Sequence, residues 1–335
     1  MKRGFTAVAA LGLLQAAGAW TGSNVLILDH VNVNHERGRH DLLKAFYFDV
    51  LGLSPDPRKA ENIAKGRKTL WANAGIHQFH LSEGATAQVF DGTVRLAYPT
   101  LEPLRRRLSA PPAVLADSEF AFEDIDGGGL RLTCPWGNTV DAVADASAAD
   151  SRGSQPGEAG EALAMTSVTV RVPRGEQNLD GVARFYEQVL GCEVEREAGA
   201  VVLRTGPTQA LRFEEAAEGA GDPSHEELEE VEEGLANNGI HLSMYVADLT
   251  GAYEKAEALG CLFVNHRFKR RAYTLDEAVD QCMFRLLDVV DPENPTAGPI
   301  IRIEHEVRSC TTKDGAKYKS CPFASLEEIG LKTAA

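Results

Sequence analysis

The sequence predicts an α+β protein made of four copies of one strand–helix–strands unit, two in each of two domains. Three observations carry this. The phrase Phe46-Tyr47-Phe48-Asp49-Val50-Leu51-Gly52 returns as Phe185-Tyr186-Glu187-Gln188-Val189-Leu190-Gly191. The flanks repeat with it: each copy follows a short alternating run, ends at a glycine suited to stop a helix, and leads to a strand with an aromatic near its end, Gln78-Phe79-His80-Leu81 and Leu211-Arg212-Phe213-Glu214. A small, polar stretch, residues 147–163, divides the chain between the copies.

Residues 1–19 read as a signal peptide. Lys2 and Arg3 precede an apolar run from Phe5 to Leu14, and Ala17-Gly18-Ala19 is a small-x-small cleavage signal before Trp20. The run is short for a bilayer, so no membrane span is expected in the mature chain. An aromatic directly after the cleavage point resembles the bipartite signals of algae with complex plastids. Entry into the secretory pathway is expected, with a complex plastid, secretion or the ER lumen as destinations.

The first domain, 24–146, opens with a strand through Asp29-His30-Val31-Asn32-Val33. The first copy of the repeated helix and the strand at 78–81 follow. A strand at Thr93–Tyr98, a short helix at Leu101–Leu108, and strands at 120–123, 130–133 and 139–143 complete it. The second domain, 164–308, repeats the order. Its second unit starts at the strand His241–Val246, where Asp248 is a fit N-cap for a helix over 250–259 that Gly260 ends. Strands at 282–287 and 300–307 close it, and a tail runs over 309–335. In that tail Cys310 and Cys321 bracket a turn-prone stretch, so a disulfide is expected in an oxidising compartment. Cys134, Cys192, Cys261 and Cys282 read as packed thiols.

A net charge of −15 disfavours nucleic acid or an anionic membrane as partner. The acidic run 225–233 reads as a solvated loop or helix face. Lys269-Arg270-Arg271 reads as a solvated insertion loop, with contact to an anionic substrate or partner as the alternative. No Gly-rich phosphate loop or Ser-His-Asp order stands out.

The His30 strand, the two repeated helices, Gly239-Ile240-His241-Leu242-Ser243-Met244-Tyr245-Val246-Ala247-Asp248 and Pro135-Trp136-Gly137-Asn138-Thr139-Val140-Asp141 together resemble the vicinal oxygen chelate superfamily. This superfamily includes glyoxalase, the extradiol dioxygenases and the bleomycin-resistance proteins. The resemblance implies two domains built from four βαβββ modules, each pair curling around one cavity. It places metal ligands on the first and last strand of each module. Carried over residue by residue, those positions fall in the first domain on His30, His80, Thr93 and Asp141. In the second they fall on Ser167, Glu214, His241, and Glu304 or Arg302. Thr93 and Ser167 depart from the usual ligands. Arg302 follows the strict spacing from Gly298, whereas Glu304 lies two residues on and shares its strand face.

His30, His80 and Asp141 could form a facial triad for a divalent metal, Fe, Mn, Ni or Zn, and Glu214, His241 and Glu304 offer a second, more carboxylate-rich set in the second domain. Glu214 and Glu304 are the candidate catalytic carboxylates, as ligands of a second set or as general bases. By strand alternation His77 should face away from His80, and His305 away from Glu304. His35 and His40 lie close in sequence to the first site but are not expected among its ligands. The function implied is a lyase, isomerase or dioxygenase on a small oxygen-rich substrate. The alternatives are a small-molecule-binding protein of the bleomycin-resistance type, or a structural subunit of a larger assembly.

Overall fold

The computed structural model describes residues 23–65, 69–152, 160–219, 228–237 and 239–331. The expected signal peptide, part of the expected linker and the first part of the acidic run lie outside the described residues.

Four βαβββ-type modules follow one another. The first holds β1 (Val25–Asn32), β2 (His35–Glu36), β3 (Ser54–Pro55), β4 (Thr69–Ala74) and β5 (His77–Gly84), with helices α1 (His40–Lys44) and α2 (Ala60–Ala64). The second holds β6 (Gly92–Tyr98), α3 (Glu102–Leu108), β7 (Ala121–Ile125), β8 (Gly129–Thr133) and β9 (Thr139–Ala144). The third holds β10 (Ala164–Val172), α4 (Glu176–Gln188), β11 (Glu193–Glu197), β12 (Ala200–Arg204) and β13 (Ala210–Glu215). A hairpin, β14 (Leu228–Val231) and β15 (Gly234–Asn237), leads to the fourth: β16 (His241–Val246), α5 (Leu249–Ala258), α6 (Leu275–Gln281), β17 (Met283–Val290) and β18 (Pro299–Ser309).

The repeated phrase is a packing helix in both places. In the first copy α1 continues into a π-helical turn over Ala45–Val50; in the second it is the end of α4. Phe46, Tyr47, Phe185 and Tyr186 are all buried. Each copy stops at a glycine of positive φ, Gly52 and Gly191, a conformation in which a side chain would be strained. Asp248 caps α5 by accepting from the Gly251 N–H at 2.9 Å.

The strands form two eight-stranded sheets that cross the halves of the chain. One runs β17-β18-β16-β1-β5-β4-β3, with β2 added beside β5; the other runs β11-β12-β13-β10-β6-β9-β8-β7. Module one therefore shares a sheet with module four, and module two with module three. β1 pairs antiparallel with β16, and β6 with β10. This corrects the expectation that the strands of each half close on their own cavity. The reason is that all four lead strands are apolar alternating runs with the same backbone donors and acceptors. Local pattern does not choose among such partners.

The helix layer, by contrast, joins neighbouring modules. Phe46 packs edge-on against Phe120, and the Tyr98 hydroxyl donates to the Leu51 carbonyl at 2.9 Å. In the other half Tyr186 on α4 hydrogen-bonds His305 on β18, and Arg184 pairs with Asp291 at 2.7 Å. One apolar core runs through all four modules. His305 thus faces the helices, opposite to Glu304, as alternation requires. His77 likewise turns away from His80 and accepts from the Met165 N–H at 3.2 Å.

Three surface readings change. Glu229, Glu230 and Val231 of the acidic run lie on the exposed hairpin strand β14, not in a loop or helix. The tail folds back over the first sheet, where Cys310, Tyr318, Cys321, Leu326 and Ile329 pack with Leu26, Ile27 and Tyr245. The thiols of Cys310 and Cys321 are both free, and their contact pushes the Cys310 thiol up. Lys269 and Arg270 line a cavity, so the basic cluster is no simple solvated loop.

Candidate metal centre

The first sheet curls around a cavity of about 830 Å³ that the tail partly walls with Lys317, Lys319 and Phe323. Its floor is the meeting of β1, β5, β16 and β18. His30 enters from β1 and is 0% exposed. A register shift falls between Leu28 and His30 in the pairing with β16. Such a bulge breaks strand alternation and brings Asp29 to the side of its neighbour. The Asp29 Oδ2 sits 2.8 Å from His30 Nδ1, which fixes the proton there and leaves Nε2 with its lone pair. That buried Nε2 has no hydrogen-bond partner.

His241 opens β16, and its ring meets His30 edge-on at 5.6 Å between centroids. Glu306 comes from β18, whose partner for Ser243 it is. Ligand atoms of His30, His241 and Glu306 lie within 4.8 Å of one another. Burial lowers the pKa of both imidazoles, most strongly for His241. Burial opposes ionisation of Glu306, but Arg285 and Arg308 outweigh it and hold its carboxyl well below the usual range. Their guanidiniums reach its oxygens at 3.0 and 2.6 Å. Two neutral imidazoles and one carboxylate are the donor set that a borderline divalent cation takes, with positions left open.

His80 stands beside this group rather than in it. Its ring is sandwiched between Trp71, 4.1 Å away, and His30, 3.6 Å away. The Gln78 amide nitrogen donates to Asp56 and Asn73 at 2.6 and 2.7 Å. The Gln78 oxygen therefore remains to accept from His80 Nε2, at 3.1 Å. Glu304 is also adjacent but saturated. It is 0% exposed, pairs with Arg285 on one oxygen, and accepts from Asn237 and Asn265 on the other, each at 2.7 Å. A carboxylate so committed holds Arg285 in place and is a poor base. Arg302 lies apart, paired with Asp288 at 3.0 Å.

Asp141 and Glu214 are on the other sheet, a correction that follows from the crossed pairing. Asp141 takes a two-pronged contact from Arg131 at 2.8 and 2.9 Å, and Glu214 accepts from Arg212 at 2.6 Å. The Thr93 hydroxyl bonds that of Thr139 at 2.9 Å, and Ser167 lies opposite Arg95 and Ala210. Ion pairs fill that face, and among the described residues no compact group of metal-ligating side chains forms there.

Sequence reasoning missed Asp29, Arg285, Glu306 and Arg308. One signal was available. Glu304, Glu306 and Arg308 alternate along a strand, so all three share a face, and charge on a buried strand face marks a site. The insertion 291–295 hid which carboxylate reaches the histidines.

Residues 167–281 match a family model described as a glyoxalase-like domain. Among solved structures, a candidate dioxygenase from Bacillus subtilis is 14% identical, with a TM-score of 0.51 and 86% of each chain covered. Glyoxalase I from Zea mays is 11% identical, with a TM-score of 0.48, over 85% of this chain and 92% of that one. No curated protein matches the sequence. At 14% identity the likeness to the Bacillus subtilis structure is one of fold.

Proposed function

We propose that this chain, a member of the vicinal oxygen chelate superfamily, is a metal-dependent lyase, isomerase or dioxygenase acting on a small, oxygen-rich, anionic substrate. One observation carries the reading: buried His30, whose Nε2 has no hydrogen-bond partner, is grouped with His241 and Glu306, two residues that line a basic cavity. His30, His241 and Glu306 would hold the metal. When bound, a divalent cation supplies Lewis acidity toward adjacent oxygens of a substrate. Asp29 orients His30, and Arg285 and Arg308 keep Glu306 ionised. His80, which burial and the neighbouring cations hold neutral in the cavity wall, is the group assigned to accept a hydrogen bond from bound substrate.

The choice of an anion rests on the lining. Arg58, Arg267, Lys269, Arg270, Lys317 and Lys319 ring the cavity above Arg285 and Arg308, against the carboxylates of Asp29 and Glu306 among the described residues. In a chain of net charge −15, such a reversal of sign focuses anions. Oxalate, a small vicinal-oxygen dianion, should bind the metal-loaded protein far better than neutral ethylene glycol. Each of Lys269→Gln and Lys319→Gln should weaken oxalate by roughly five-fold, about 1 kcal/mol, with the loss shrinking in high salt. Calorimetry reads both, and equal binding of the neutral diol would sink the anion assignment.

The reading as an enzyme is tested by elemental mass spectrometry on the purified chain, before and after reconstitution with Fe(II), Mn, Ni and Zn. Bound metal supports it. A protein that stays empty yet binds oxalate is instead a metal-free binding protein, a reading the arginine-rich lining also favours. We further infer that residues 1–19 direct entry into the secretory pathway. N-terminal sequencing of the mature protein should then begin at Trp20, and an intact Met1 would refute cleavage.

A further inference from the structure

We propose that His35, His40 and Glu83 form a second divalent-metal site, of the zinc class, within module one at the place that module two covers. Three observations converge. His35 on β2 lies directly opposite Glu83 on β5 in a parallel pair, so their side chains share a face. His40 at the start of α1 folds back onto them, its ring 4.9 Å from that of His35. The potential ligand atoms of the three lie within 4.8 Å of one another.

The second observation is what burial has done to the imidazoles. His35 is 1% exposed and His40 7%. Neither ring nitrogen of His35 nor the Nε2 of His40 makes a well-formed hydrogen bond, although the Ser82 and Leu81 backbone approaches His35. A neutral imidazole always carries one N–H and one lone pair, and buried polar atoms normally find partners. Two adjacent imidazoles with buried, unengaged lone pairs are costly; a cation that accepts a lone pair from each removes that part of the cost, and the His35 N–H is left to the Ser82 and Leu81 backbone. The third observation is the sealing residue. Trp136, from the turn between β8 and β9, lies 6.0 Å from the His35 ring, and its indole N–H reaches Glu36 at 3.4 Å. The site therefore sits where the second module covers the first.

The donors fit one class of metal. Two imidazoles and a carboxylate suit Zn(II) or Co(II). Bonds of about 2.0–2.2 Å require the ligand atoms to close to roughly 3.4 Å, a small rotation of side chains already in contact. Glu83 uses one oxygen to accept from the Gly38 N–H at 2.8 Å, which leaves the other for the metal. Glu83 is half-buried, so water has access to complete a fourth position. The site is distinct from the first. Glu83 is an odd number of residues from His80 and so points to the opposite face of β5. The proposal does not depend on the enzymatic reading.

The experiment uses the full chain, stripped with chelator and titrated with Zn(II), with bound metal counted by elemental mass spectrometry after dialysis. Wild type should hold two equivalents. A His30→Ala/His241→Ala variant should keep one, and adding Glu83→Gln to it should weaken that remaining site by about 100-fold or abolish it. Co(II) loaded into the His30→Ala/His241→Ala variant should give visible bands of low-coordinate cobalt, lost with His40→Ala. A folded His30→Ala/His241→Ala protein that binds no zinc would overturn the proposal. So would a remaining equivalent that persists in both Glu83→Gln and His40→Ala. If wild type holds one equivalent and His30→Ala/His241→Ala retains it, this site stands and the first one fails. Glu83→Gln alters a half-buried surface carboxylate, which keeps the test readable if the buried histidine variants do not fold.

Discussion

Replacing His241 with alanine, or Glu306 with glutamine, is expected to remove one equivalent of bound divalent metal and with it all turnover. In the proposed centre each supplies one of three protein ligands, and such a site has no spare. Changes to the hydrogen-bonded partners of ligands already cost about 10–100-fold in affinity, so loss of a ligand should cost about 100-fold or more. Asp29→Asn is the graded case. The amide it introduces offers an N–H as readily as an oxygen to His30 Nδ1, so the tautomer is no longer fixed and affinity should fall within that 10–100-fold range. Asp141→Asn and Glu214→Gln should change neither metal content nor activity, since both carboxylates face arginines on the other sheet. Elemental analysis of the five proteins beside wild type decides this. Metal retained in both His241→Ala and Glu306→Gln, or lost in Asp141→Asn, would show that the centre lies elsewhere.

The metal-free protein should lose stability steeply below pH 6.5. Burial lowers the pKa of His35, His77 and His305 from 6.5 to about 4 in each case. His30, His80 and His241 shift in the same direction. In the unfolded chain every one of these rings takes a proton near pH 6.5, while the folded chain keeps them neutral. Between pH 6.5 and about 4 the unfolded state therefore binds more protons, and stability falls as pH drops through that window. The three groups with stated values alone give a slope of up to about 4 kcal/mol per pH unit. Between pH 7 and pH 5 they remove roughly 6 kcal/mol, comparable with the whole stability of a domain. Urea midpoints followed by circular dichroism at pH 7, 6 and 5 should fall accordingly. His77→Gln keeps an acceptor for the Met165 N–H and removes one titrating ring, so it should lower the slope by about 1 kcal/mol per pH unit. A midpoint that does not move between pH 7 and pH 5 would refute the account.

Local sequence set the elements of this protein. The repeated phrase marks a helix because two aromatics and the aliphatics around them fall on one face and a glycine can leave the helix at positive φ. Asp248 caps a helix because its side chain reaches a backbone N–H three residues on. His77 and His305 point away from the cavity because strands alternate. Such facts span a few residues, and a few residues fix them. The strand positions of His30, His80, His241 and Glu304 were legible for the same reason, as positions within a repeated module.

Tertiary structure decided which of them meet. The lead strands of all four modules offer the same backbone hydrogen bonds and similar apolar faces, so their partners depend on how the helices pack across the chain. Pairing module one with module four brings His30 to His241 and leaves Asp141 and Glu214 among arginines on the other sheet. The register of β18 against β16 puts Glu306, beyond Glu304, at the histidines. The bulge at Asp29, the guanidiniums that keep Glu306 ionised and the basic tail over the cavity join residues far apart in the chain. Charge and burial there are properties of the assembled sheet, because a carboxylate is a ligand, a base or an arginine's partner according to what the fold sets beside it.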